Sequence, residues 1–232
     1  MASPSAARRR ARRKSASRPS VSNGFTPPSR ECGLCPRLVA FRHHWREREA
    51  SWWNAPVPPF GAETAKLLIV GLAPGLRGAN ATGRPFTGDY AGDTLYAALQ
   101  RHGLAVGDYA EHAGDGLQLV DTRITNAVRC VPPENRPETV EIKQCLPFLS
   151  QERAALPNLK AILVLGLIAH KAVLQALGLR ASAVPFRHGA EVAVGDLTLL
   201  SSYHCSRYNT NTGRLTEAMF DAVIARCAAV IR

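Results

Sequence analysis

The stretch from Lys66 to Asp93 constrains everything else in the chain. It runs Lys66-Leu-Leu-Ile-Val-Gly71, then Leu-Ala-Pro-Gly75, then a loop that holds Asn80, Phe86 and Asp89 among glycines and small side chains. A short apolar run that ends in glycine and proline is how a buried parallel strand breaks into a loop. Open α/β sheets bind their ligands outside that carboxyl end. Between Gly71 and Asp89 the only aromatic ring is Phe86. A loop with one ring and little bulk suits closure over a flat, planar ligand.

The rest of the chain alternates in the same way. An Arg-rich helical stretch covers 38–49, and a helix follows the glycine-rich loop at 93–101. A second strand is expected over 119–128, a helix over 138–155, and a third buried strand over 160–166. Another helix covers 167–177, and 192–194 with 197–202 form a hairpin or final strand pair. Thr216 caps a terminal amphipathic helix with Glu217 in its first turn. Strands alternating with helices predict an α/β fold whose central, mainly parallel sheet of about four strands is covered on both faces. The loops at 72–93, 126–137 and 203–215 then meet along one edge of that sheet, where function is expected.

Charge divides the chain in two. The net charge is +11, of which seven basic residues fall in residues 1–20 with no acid, leaving only +4 for the remainder. Residues 1–29 read as a disordered basic tail and 30–232 as a single domain. The tail suits a non-specific phosphate-binding arm, a plain solvated segment, or a presequence for organellar targeting. No apolar run is long enough to span a bilayer, and no secretory signal is present, so the expected setting is cytoplasmic, beside the nucleoid.

Six cysteines in such a chain are better suited to ligation than to a disulfide framework. Cys32-x2-Cys35 pairs naturally with Cys130-x14-Cys145, and four thiolates from separate segments suit tetrahedral zinc or a [4Fe–4S] cluster. The plainer reading of the first two is a redox pair. Cys227 reads as packed core, and Cys205, in a polar loop, as a pocket-lining thiol.

Four motifs appear in order: Gly71-Leu-Ala-Pro; Asn80-x-Thr-Gly-Arg-Pro-Phe86-Thr-Gly-Asp89; Thr125-Asn126-Ala-Val-Arg-Cys130-x-Pro-Pro-x-Asn135-x-Pro137; and Ser202-Tyr-His204-x-Ser206-x-x-Asn209-x-x-Thr212-Gly-Arg-Leu-Thr216. With the four cysteines, they make the chain resemble the family 5 (B-class) uracil-DNA glycosylases over residues 30–225. Leu72 stands where the family 4 enzymes carry Glu. The resemblance implies a three-layer α/β/α sandwich and a [4Fe–4S] cluster on Cys32, Cys35, Cys130 and Cys145. It implies removal of uracil, and of other deaminated or damaged bases, from double-stranded DNA. Hypoxanthine, ethenocytosine and hydroxymethyluracil are among the expected bases. The familiar His-Pro-Ser reads His204-Cys205-Ser206 here, which gives up the fixed φ of a proline.

A base inside the stack has to be flipped into a pocket before chemistry can reach it. Phe86 is assigned the stacking role, and Gly71 and Ala73 line the base site. Asn126 can both donate to and accept from a uracil edge. His204 is placed to donate to the base oxygen that gains charge as the glycosidic bond breaks. Asn80 is the first candidate for positioning water and Asp89 the second. Arg207 and Arg214 suit phosphates, and Tyr208 the gap left by the flipped base. Lys66, Lys143, Lys160 and Lys171 all fall outside the three loops, so a monofunctional hydrolase is expected; a monomer is expected as well. The rival readings are a non-catalytic nucleic-acid-binding protein with a zinc or cluster knuckle, and a uracil-restricted family 4-like enzyme.

Overall fold

The computed structural model describes residues 24–232. Most of the basic tail, residues 1–23, therefore lies outside the described residues. Helix α1 (Pro36–Arg48) precedes β1 (Leu67–Gly71), the single-turn α2 (Ala79–Thr82) and α3 (Tyr90–Arg101). Then come β2 (Ala105–Val106), β3 (Gln118–Leu119), β4 (Thr122–Asn126) and α4 (Thr139–Ala154). The chain finishes with β5 (Ala161–Leu165), α5 (Leu167–Ala176), β6 (Glu191–Val194), β7 (Leu197–Ser202), α6 (Arg207–Asn211) and α7 (Glu217–Ile231).

The sheet has five strands in the order β4-β1-β5-β7-β6, one more than expected, because both arms of the hairpin join it. All neighbours are parallel except β6 and β7. Every residue of β1, β4 and β5 is buried, as strands covered on both faces must be. Alternation sends Leu67 and Ile69 toward α3 and α7, and Leu68 and Val70 toward α4 and α5. That gives the three layers. Each fully buried Leu or Ile contributes about 1.5–3 kcal/mol.

Two boundaries move for local reasons. The second strand is shorter than expected because Asp121 takes φ +49°; residues before it pair separately as β3 with β2. Helix α3 starts three residues early because Asp89 caps it, accepting from Gly92 N at 3.1 Å. Among the described residues no helix is long and apolar enough to cross a membrane.

Candidate active site

Parallel register brings the ends of three strands to one edge. Gly71 pairs with Asn126, and Leu165 pairs with Ser202, so the loops after β1, β4 and β7 open side by side. Between them lies a pocket of about 670 Å³. Its walls include Ala73, Phe86, Asp89, Tyr90, Asn126, His204 and Arg207.

Gly71 explains how Phe86 and Asn126 can meet there. A Cβ on Gly71 would stand 2.5 Å from Asn126 Oδ1 and 2.6 Å from Phe86 Cζ. No other residue leaves that space. The backbone goes on pairing past the strand, with Val128 N donating to Leu72 O at 2.9 Å.

Phe86 sits at φ +52°, a conformation that costs energy for a bulky side chain. Its neighbours hold it there. Arg84 donates to both oxygens of Asp115 at 2.7 and 2.6 Å and to Thr87 Oγ1 at 2.8 Å. The guanidinium also lies against the rings of Phe60, Tyr96 and Tyr109. Tyr96 Oη donates to Pro85 O at 2.6 Å. The bond from Arg84 holds the Asp115 carboxyl well below the usual carboxylate range.

His204 lies against Phe86, with ring centroids 6.0 Å apart and planes inclined at 27°. Its carbonyl accepts from Asn209 Nδ2 at 2.8 Å. Burial pushes the imidazole pKa down, against the smaller pull of Asp89 in the other direction. The ring is therefore neutral near pH 7 and offers one N–H donor. Asp89 spends one oxygen on capping α3. The other packs against Gly75 and Gly78, where a Cβ would come within 3.0 and 2.4 Å.

The structure thus brings His204, Asp89, Phe86, Asn126, Ala73 and Arg207 to one pocket, with Gly71 beneath them. Three expected residues stand elsewhere. Asn80 is completely buried, and its Nδ2 donates to Asn54 Oδ1 at 2.8 Å, so its side chain points away from the pocket and pins the loop. Tyr208 is largely exposed on α6 and does not line the pocket. Arg214 lies over the Tyr203 ring at 4.6 Å in an adjoining groove. Cys205 is a correction: it is fully buried, its thiol donating to Ala91 O at 3.4 Å. Alternation along the chain gives the pocket to His204 and Ser206 and the core to the residue between them.

Four polar lining residues escaped the sequence reading of the site: Arg77, Tyr90, Asn135 and Ser206. Asn135 had a signal, since Asn tolerates the left-handed φ of +56° that the Pro-rich loop requires. Tyr90 sits under the Arg207 guanidinium at 5.4 Å, a pairing between the first residues of α3 and α6 with no local signal.

A second constellation lies off the pocket. Cys32, Cys35, Cys130 and Cys145 line one small cavity between α1, α4 and the loop after β4. None of the four forms a disulfide. Arg42 Nη1 donates to Cys130 Sγ at 3.3 Å, and Arg129 N to Cys145 Sγ at 3.4 Å. Burial pushes the Cys130 thiol up to about 12 and the Cys35 thiol up to about 11, with repulsion among the cysteines adding to both. Among the described residues no three His, Cys, Asp or Glu side chains converge on one point as a single metal ion requires, whereas in a cluster each thiolate binds its own iron. Four sulfurs around one cavity, two of them already accepting N–H donors, are a donor set that fits an iron–sulfur cluster.

Comparison with known proteins agrees with this geometry. Residues 58–228 match the model of the uracil DNA glycosylase superfamily. A type-5 uracil-DNA glycosylase of Thermus thermophilus is 46% identical over 199 residues, covering 83% of this chain and 90% of that one. One of Pyrobaculum aerophilum is 41% identical over 85% of this chain and 88% of its own. One of Mycobacterium leprae is 46% identical over 83% and 88%.

Proposed function

This chain belongs to the uracil DNA glycosylase superfamily, and we propose that it is a monofunctional DNA-repair enzyme with a base range wider than uracil. It hydrolyses the N-glycosidic bond of uracil in double-stranded DNA and leaves an abasic site. The observation that carries this reading is the meeting of Phe86, Asn126 and His204 above Gly71. A stacking ring, an edge reader and a neutral donor from three separate loops are what a flipped pyrimidine needs.

The flipped base stacks on Phe86, and the Asn126 amide pairs with its polar edge. As the C1′–N bond breaks, its electron pair passes to the base, and the N–H of His204 stabilises the charge that collects on the base oxygen. The sugar becomes cationic at C1′. Asp89, whose free oxygen faces the glycines of the pocket wall, is the carboxylate for that charge and for the incoming water. The water adds through oxygen, its proton leaves to Asp89 or solvent, and the departing base takes a proton from solvent. With the Asn80 side chain on Asn54, Asp89 takes the water-positioning role alone. Among the described residues no lysine lines the pocket, which supports hydrolysis without a Schiff base. The small side chains of Ala73 and Gly75 support the wider base range.

Cys32, Cys35, Cys130 and Cys145 are proposed to hold a [4Fe–4S] cluster. Bound there, it ties the N-terminal knuckle to the loop after β4 and to α4. Arg207 and Arg77, on the pocket rim, suit the phosphates beside the flipped nucleotide.

The test is excision from a labelled duplex with a single U·G pair. A strand break that requires alkali is expected. A break without alkali would mean a lyase, and no break at all with the duplex bound would leave a binding protein. Duplexes carrying hypoxanthine or ethenocytosine test the base range separately.

A further inference from the structure

The buried charge around the cysteine cavity does not balance. Arg42, on α1, is completely buried. Its Nη2 donates to Cys32 O at 2.7 Å and its Nη1 to Cys130 Sγ, but no carboxylate pairs with it among the described residues. Residues 1–23 contain no Asp or Glu that could serve. Glu31 is engaged by Arg46, and Glu141 by Arg37.

Arg129 also lines the cavity, and it shares one completely buried carboxylate, Glu152, with Arg123. That leaves one positive charge over, and Arg42 adds a second. Arg42 Nε, Arg129 Nε and Arg129 Nη1 are buried without any acceptor. Burying cations in this way is strongly unfavourable unless an anion is buried with them. Glu31 and Glu141 act on this region only from a distance, each held by its own arginine, and the side chains that line the cavity and can carry negative charge are the four cysteines.

We propose that Arg42 and Arg129 are the built-in counter-charge for an anionic centre on the four cysteines, and that Arg42 governs its reduction potential and its retention. This rests on the cluster reading above. Four thiolates around a [4Fe–4S] core of charge 2+ leave two negative charges, which match the two unpaired cations. A hydrogen bond to a ligating sulfur and a nearby positive charge both favour the more negative, reduced state. Arg42 supplies both at Cys130.

The experiment uses the full chain, purified without oxygen, and measures iron, acid-labile sulfide, the visible absorption of the cluster and its potential by voltammetry. Arg42→Gln is expected to move the potential downward and to lose the cluster in air about tenfold faster, the scale of one hydrogen bond to a charged group. Arg226→Gln, which removes an exposed arginine paired with Glu191, is expected to change neither. An unchanged potential and unchanged loss rate in Arg42→Gln would overturn the proposal while leaving the cluster in place. Wild-type protein free of iron and sulfide would instead remove the cluster reading and the proposal together. If Arg42→Gln does not fold, Arg42→Lys decides: with the charge kept and the fork lost, its potential stays near wild type while the cluster is lost faster. Wild-type retention in Arg42→Lys would overturn the proposal.

Discussion

The pocket under Phe86 and the cavity between the cysteines are built from opposite materials. Each gathers segments far apart in sequence. The pocket does so by removing bulk: Gly71, Gly75 and Gly78 let an aromatic ring, an amide and a carboxylate approach across bare backbone. Its side chains keep polar groups turned toward open space. The cysteine cavity does so by burying charge, with Arg42, Arg129 and Glu152 all inaccessible and several donors unmatched. A site that exchanges its ligand at every turnover needs shape and free hydrogen-bonding groups. A site that keeps its ligand permanently can lean on that ligand for its own stability.

The comparison is sharpest if the two regions fail independently. His204→Ala should have the largest effect on the reaction. Losing a donor to developing charge costs about 10²- to 10³-fold in rate, so single-turnover excision should fall by that factor with binding of duplex little changed. Iron and sulfide content should not move. A variant that loses its iron along with its activity would show the two regions to be one cooperative unit.

Gly71→Ala comes next. The added Cβ cannot coexist with Asn126 Oδ1 and Phe86 where they stand, and a displacement of about 1 Å near the chemistry costs on the order of 10²-fold. The loss should appear in excision, measured at saturating enzyme, while the visible spectrum of the cysteine site matches wild type. Near-normal excision would mean that Phe86 and Asn126 are not held in one fixed arrangement.

The two regions also differed in how far the sequence disclosed them. The pocket was largely legible, because hydrophobic runs mark where buried strands end. Gly71, Asn126 and His204 therefore fall at one sheet edge from the sequence alone. Asn80 was not legible: it sits on a single helical turn, and nothing local tells which side of that turn faces the ligand. Cys205 failed for a related reason, since a polar loop hides the alternation that buries every second side chain. Around the cysteines, the spacing gave candidate ligands, but nothing in the Arg-rich stretch 38–49 singled out Arg42. Its burial depends on segments about 90 residues away, such as Cys130. The extra strand of the sheet was ambiguous on the same grounds, because β6 alternates between half-buried and exposed positions and pairs only with β7.

The smallest effect expected is on stability, and its sign follows from His204. Burial lowers the imidazole pKa in the folded protein below about 6.5, the value in the unfolded chain. Above that pH both states are neutral and the residue contributes nothing. As pH falls below it, the unfolded chain takes up the proton first, so folding weakens until the folded pKa is passed. His188, also lowered by burial, acts in the same direction. Urea midpoints at pH 7.5 and 5.5 should therefore fall with pH in wild type and fall less in His204→Gln. Asp89→Asn should steepen the loss, since the Asp89 charge holds the His204 pKa up and its removal lets that pKa drop further. Identical pH dependence in wild type and His204→Gln would mean that the imidazole titrates as it does in water, and a pocket that leaves it so solvated could not keep it as a neutral donor over the base.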